Sequence, residues 1–189
     1  ASDVYKRQSR PDPYHIWISE IMLQQTRVEA VKDYYTRFLK RLPDVSSLAG
    51  VSHDELMKLW QGLGYYSRAN NLQRAAIQIM EEYGGSFPEH YEEILTLPGI
   101  GEYTAGAIAS IAFGEAVPAI DGNVYRIYTR LCGDDSDITK TPFKKKLRSL
   151  LSNAVPVTEP GSYNQAWMDL GATAVSYTHL RAHETDSYL

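Results

Sequence analysis

The sequence predicts an all-α protein. Three observations carry that reading: apolar residues recur at helical spacing along nearly the whole chain, helix start and stop signals punctuate it, and no segment alternates with a period of two. Tyr14 to Thr26 is apolar on most sides through Ile16, Trp17, Ile18, Ile21, Met22 and Leu23, the pattern of a buried helix. Val28 to Leu42 spaces Val31, Tyr34, Tyr35, Phe38 and Leu42 along one face, and Pro43 ends it. Ser52-His53-Asp54-Glu55 reads as a capping box that opens a helix to about Trp60. After a Gln61-Gly62-Leu63-Gly64 turn, a helix carries Ala69, Leu72, Ala76, Ile79, Met80 and Tyr83 and stops at Gly84-Gly85. Pro88 suits the first position of a short helix to Leu95. Leu97-Pro98-Gly99-Ile100-Gly101 is a tight turn, followed by a small-residue helix from Tyr103 to Phe113. Asn123 to Leu131 is apolar at helical spacing, Thr141-Pro142 opens a helix through Leu147, Leu150 and Leu151, and Tyr163 to Leu170 is the last.

A chain of 189 residues forms one large domain or two small interlocked ones. A single cysteine, Cys132, excludes an internal disulfide framework and any multi-cysteine metal site within the chain, and reads as a buried helix residue. No run approaches the ~18 apolar residues of a membrane span. The net charge of −4 argues against a polybasic nucleic-acid binder but leaves room for a local basic face.

The two ends are expected to be foreign to the protein. Ala1 to Gln8 reads ASDVYKRQ, which resembles the translation of a sequencing-library transposase adapter. From Val175 the chain reads VSYTHLRAHET, which resembles the opposite adapter, with Ala174 a hybrid codon. Residues 1–8 and 174–189 are therefore read as adapter-derived, and the native segment as Ser9 to Thr173, cut at both sides. The tails hold three basic and three acidic residues, so the net charge belongs to the native segment. His179 and His183 lie in the tail and are not metal ligands on this reading.

Three features of the native segment point to chemistry. In the Leu97–Gly101 turn, Gly99 and Gly101 let the backbone approach a partner closely, and the turn leads into a helix N-terminus whose free N–H groups favour an anion. With a helix on each side it is a helix-hairpin-helix, which shifts the reading from a plain connection toward DNA phosphate. Its carbonyls can also hold a monovalent cation. Glu20 is the only charged residue between His15 and Arg27. A structural acid and a catalytic one are equally open on that evidence. Apolar surroundings favour the protonated carboxyl, which suits a general acid. Gln24 lies at i+4 on the same face and Gln25 beside it, and two glutamines on such a helix need polar partners such as base edges. Asp121, in Ala119-Ile120-Asp121-Gly122-Asn123, stands where a helix cap belongs and also where an ionised acid could oppose Glu20, the two-carboxylate logic of glycosidic cleavage.

Taken together, five segments resemble the adenine DNA glycosylases of the MutY type, in the helix-hairpin-helix superfamily that includes endonuclease III. They are Ser19–Thr26, Gly62–Leu72 (GLGYYSRANNL), Leu97–Gly106 (LPGIGEYTAG), Ile120–Val124 (IDGNV) and Asn164–Ala172 (NQAWMDLGA). The resemblance is collinear and covers essentially all of Ser9 to Thr173. It implies hydrolysis of the N-glycosidic bond of adenine mispaired with 8-oxoguanine or guanine in double-stranded DNA. It also implies a six-helix barrel over residues 14–123, beside a partial iron–sulfur cluster module built from residues 9–13 and 124–173. By the same resemblance Glu20 protonates the departing adenine and Asp121 stabilises the sugar cation. Tyr103 stands where lyases of the superfamily carry a Schiff-base lysine, so the chain reads as monofunctional. Gln25 and Tyr65 match residues that wedge into the duplex as the base is extruded. Gln24, Leu97, Gly99, Gly101 and Asn123 complete the expected DNA-binding set. A monomer in the bacterial cytoplasm, at the nucleoid, is the implied setting.

The family's pattern continues to four cysteines that ligate a [4Fe–4S] cluster and to a domain that recognises 8-oxoguanine, and neither is in this sequence. The segment is therefore read as a fragment whose activity belongs to the parent protein. A bifunctional endonuclease III-like glycosylase/lyase is the first alternative; Tyr103 and Asp121-Gly122-Asn123 speak against it. A non-catalytic helix-hairpin-helix DNA-binding module is the second; Glu20 and Asp121 together speak against that.

Overall fold

The computed structural model describes residues 11–171, so the adapter-like tails, together with Ser9, Arg10, Ala172 and Thr173, lie outside the described residues. Within them the chain is helical and no strand occurs. Helix α1 (Pro13–Leu23) starts where Asp12 accepts the Tyr14 amide and Pro13 presets the first turn. It ends three residues earlier than its apolar pattern suggests, because Gln24 to Thr26 form a turn in which Gln25 has φ 59°. Helix α2 (Val28–Arg41) buries Val31 and Phe38 and stops before Pro43.

Helix α3 (Val45–Gly50) has no counterpart in the sequence reading. At six residues it is too short to show a period, and it stands on a reciprocal cap between Asp44 and Ser47. Helix α4 (His53–Trp60) is capped by Ser52 accepting the Glu55 amide; the Glu55 carboxylate pairs with Arg41, so only half of the expected box forms. Helices α5 (Ser67–Glu82) and α6 (Tyr91–Leu95) follow. Pro88 lies before α6 rather than in it, and the α6 start is held by Glu115, whose carboxylate accepts the Tyr91 amide at 2.7 Å. Helices α7 (Glu102–Ala112), α8 (Gly122–Cys132) and α9 (Thr141–Ala154) agree with the sequence reading to within about three residues, and a last helix, α10, covers 160–171.

Two hydrophobic cores form. The larger centres on α1, whose Ile16, Trp17, Ile18 and Met22 are fully buried among Phe38, Leu48, Trp60, Leu72, Ile79 and Ile108. Each such side chain contributes roughly 1.5–3 kcal/mol of burial. Helix α7 packs on α1 through small residues. A Cβ at Gly106 would come within 2.5 Å of the Pro118 carbonyl, so the chain after α7 folds back directly against the helix. The smaller core joins Ile120, Val124, Phe143, Leu147 and Leu151, with Trp167 of α10 against it. The α8 stripe it buries ends at Ile127. Leu131, expected on that stripe, is 70% exposed, and Cys132, expected to be buried, is exposed.

Asn164 ties the two cores together. It is 1% exposed; its Oδ1 accepts the Ala119 amide at 3.0 Å, and its Nδ2 donates to Ser110 Oγ and to the Val117 carbonyl at 2.8 and 2.9 Å. One side chain of α10 thus satisfies the extended strip that leads from α7 to Asp121.

Candidate active site and nucleic-acid interface

The hairpin turn between α6 and α7 is built for backbone contact. Leu97 is 2% exposed and plugs the core, so only its backbone serves the turn, and its carbonyl accepts the Ile100 amide at 3.1 Å. Gly99 has φ +79°, and a Cβ there would lie 2.7 Å from Asn71 Cβ, so both conformation and space require glycine. Gly101 begins α7 with no side-chain cap, which leaves the amides of the first turn open to an anion.

A second turn and a loop meet beside it. Gln25 (φ 59°) follows α1, and Tyr65 (φ 48°) lies in the loop before α5; among the described residues they are the only non-glycine residues with positive φ. Tyr65 is 62% exposed and Gln25 is exposed. Arg68 lies between the two segments. Its Nη1 donates to the carbonyls of Ile21, Met22 and Gln24, at 2.9, 3.1 and 2.6 Å. Its Nη2 donates to those of Leu63 and Gly64, at 3.1 and 3.2 Å. Burial pulls the Arg68 pKa down, with the Tyr65 hydroxyl acting in the opposite direction. Gln24, Arg68, Asn71 and Gly99 line one small cavity of about 60 Å³, so the glutamine turn and the hairpin adjoin.

Glu20 is 3% exposed and is the only charged residue among the buried side chains of the described residues. It lies one turn before Gln24 on α1, the helix that packs on α7. Asp121 caps α8: its Oδ1 accepts the Asn123 and Val124 amides, and its Oδ2 accepts the Asn123 side-chain amide, each at 2.9 Å. The Asn123 carbonyl oxygen in turn accepts from Arg126 at 2.6 Å, which sets the orientation of its amide. Helix α10 touches Tyr103 and Asn123. Tyr103 of α7 donates its hydroxyl to Met168 Sδ at 3.5 Å, and Gly171, three residues on, sits where a Cβ would be 2.6 Å from Asn123 Cβ.

The sequence reading missed Arg68 and Asn164, although both stand inside the quoted segments. For Arg68 the available signal was a lone cation at the start of α5, with no basic residue in the last turn of α1 to meet its carbonyls. An [4Fe–4S] cluster does not fit the donors present. The chain has one cysteine, exposed at the end of α8, and no group of three or more His, Cys, Asp or Glu residues among the described residues could hold a metal ion. Among the described residues no helix is long and apolar enough to cross a membrane.

An all-helical fold with an exposed glycine hairpin between two helices has the form of a helix-hairpin-helix protein. Residues 18–153 match the HhH-GPD superfamily base excision DNA repair protein family, and the chain belongs to it. Over 161 residues it is 47% identical to adenine DNA glycosylase from Mus musculus and from Homo sapiens, covering 85% of this chain and 31% and 30% of those proteins. Over 160 residues it is 41% identical to adenine DNA glycosylase from Buchnera aphidicola subsp. Acyrthosiphon pisum (strain APS), covering 85% of this chain and 46% of that protein. The chain thus spans less than half the length of these relatives. A thermostable thymine-DNA glycosylase has a similar structure, with a TM-score of 0.80 and 29% identity over 89% of this chain and 78% of that one. A non-covalent endonuclease III–DNA complex shares the fold, with a TM-score of 0.74 and 22% identity over 91% of this chain and 81% of that one.

Proposed function

We infer that the chain carries the base-excising part of an adenine DNA glycosylase acting on double-stranded DNA with adenine opposite 8-oxoguanine or guanine. The observation that carries this reading is Glu20, a carboxyl buried within the apolar α1 of a chain 47% identical to adenine DNA glycosylases. Adenine leaves poorly as an anion. In this reading Glu20 gives a proton to the base, the bond from the base nitrogen to the sugar carbon breaks with its electron pair staying on adenine, and the sugar is left cationic. Asp121, fixed by three N–H donors, faces that charge. Water adds to the sugar carbon, its proton passes to the Glu20 carboxylate, and the acid is restored. Tyr103 has no amine, so no Schiff base forms and the reaction ends at the abasic site.

Hairpin amides at Gly99 to Gly101 bind DNA phosphate in this scheme, with a monovalent cation on the turn carbonyls. Gln24, Gln25, Tyr65 and Asn123 meet the bases, and Leu97 supports the turn from the core. We read residues 14–123 as the barrel and residues 9–13 with 124–173 as the partial second module; two separate cores, the second beginning at Ile120, are in keeping with such a division. In this reading a [4Fe–4S] cluster belongs to that module of the longer parent protein, in keeping with the family, and no step here runs through it. A monomer on chromosomal DNA in the bacterial cytoplasm completes the reading.

The test is single-turnover base release from A:8-oxoguanine, A:G and T:G duplexes, with and without alkali. Adenine release, strand cleavage only after alkali, and a fall of at least about a hundredfold in Glu20→Gln support the proposal. Release of thymine alone, the activity named for the thymine-DNA glycosylase neighbour, or an unaffected Glu20→Gln rejects it.

A further inference from the structure

We propose that Arg68 is a positioning residue for base extrusion: its guanidinium locks the two backbone turns that present Gln25 and Tyr65. The proposal rests on the reading of Gln25 and Tyr65 as the residues that enter the duplex.

Both residues hold a left-handed backbone conformation that a Cβ disfavours, so each turn needs an external restraint. The φ angle of a residue sets the orientation of the peptide plane ahead of it. Arg68 grips both of those planes by their oxygens, Gln24 O ahead of Gln25 and Gly64 O ahead of Tyr65. The two turns are 40 residues apart in sequence, and one planar fork serves both. Nη1 serves the α1 end, while Nη2 serves the loop and also reaches Thr26 Oγ1 at 3.5 Å. The carbonyls of Ile21 and Met22 belong to the last turn of α1, which has no basic residue of its own, so the same cation also closes that helix. Trp60 lies under the guanidinium at 5.4 Å and Tyr65 at 5.5 Å, and the Trp60 indole N–H donates to Gly64 O at 3.1 Å. The group is therefore fixed from three directions. Lysine at this position offers a point charge without the fork and reaches one turn at a time.

The experiment compares the full 189-residue chain with Arg68→Lys and Arg68→Met. It measures amide exchange at Thr26 and Leu63, whose N–H groups close the two turns on the Leu23 and Trp60 carbonyls, extrusion of 2-aminopurine opposite 8-oxoguanine by its fluorescence, and affinity for an undamaged duplex at one fixed salt concentration. In both variants exchange at the two amides should rise at least tenfold and extrusion slow at least tenfold, while undamaged-duplex affinity stays within about twofold. A general loss of structure would instead raise exchange throughout the chain and lower undamaged-duplex affinity together with extrusion. If both variants lose their helical circular dichroism, Arg68 is a general structural residue and the proposal is overturned. Extrusion at the parent rate in either folded variant also overturns it. If the parent chain itself fails to extrude the base, the functional reading falls instead, and the exchange arm still decides the clamp: unchanged exchange in the variants rejects it.

Discussion

Replacing Asn164 with alanine is expected to cost about 4 kcal/mol of stability. The side chain is 1% exposed and makes three hydrogen bonds. Its removal leaves the buried Ala119 amide and the half-buried Val117 carbonyl without their partner, while Ser110 keeps its bond to the Gly106 carbonyl at 2.7 Å. An orphaned buried group costs about 1–3 kcal/mol, and the half-buried carbonyl with the vacated space of a 1% exposed side chain adds the rest of the stated figure. For a domain of this size that lowers the melting temperature by roughly 8–16 °C. The assay is urea and thermal unfolding followed by circular dichroism, with the midpoint moving and the urea slope unchanged. Because the strip from Val117 to Ala119 leads directly into Asp121, adenine release should also fall when measured well below the new melting point. A melting shift of under about 3 °C would mean that the strip finds other partners, and the assignment of Asn164 as the tie between the cores would be wrong.

Gly99→Ala should weaken duplex binding at least tenfold at low salt, since a left-handed alanine costs about 1–2 kcal/mol and its Cβ collides with Asn71; equal fluorescence anisotropy titrations would exclude a hairpin contact. Tyr103→Lys places an amine where the hydroxyl now meets Met168, and borohydride should then trap a covalent complex with an A:8-oxoguanine duplex; base release without trapping would show that this position does not reach the sugar. Burial pushes the Tyr35 phenol up to about 12, with Asp12 adding to the shift, and burial raises Tyr14 as well. The folded state therefore holds these protons more tightly than the unfolded chain, whose phenols titrate near about 10. Stability should be intact below about pH 10 and fall between about pH 10 and pH 12, with tyrosinate absorbance and helix loss rising together; full ionisation near pH 10 in a folded protein would contradict the burial of these rings.

The helical class, the hairpin and the acid candidates were legible in the sequence because each rests on a local signal. Apolar spacing over a dozen residues forces a helix to bury one face, Gly99 and Gly101 mark a turn, and Glu20 stands out as a charge in an apolar run. Where a helix stops was less legible. The helical pattern of α1 reads on to Thr26, but the helix stops at Leu23, where Arg68, 44 residues beyond Gln24, holds the carbonyls of its end and Gln25 turns left-handed. Leu131 and Cys132 are helical as expected but exposed, because the end of the α8 stripe depends on how far the second core extends. Arg68 and Asn164 carried no local mark of their roles. Their partners are backbone groups contributed by distant segments, and a backbone carbonyl or amide has no letter in a sequence. The sequence by itself determined the helical class, every helix long enough to show a period, and the chemical groups. The tertiary structure alone decided which carbonyls those groups hold and so where Gln25, Tyr65 and Asp121 stand, because hydrogen bonds between elements form only after burial has brought the elements together.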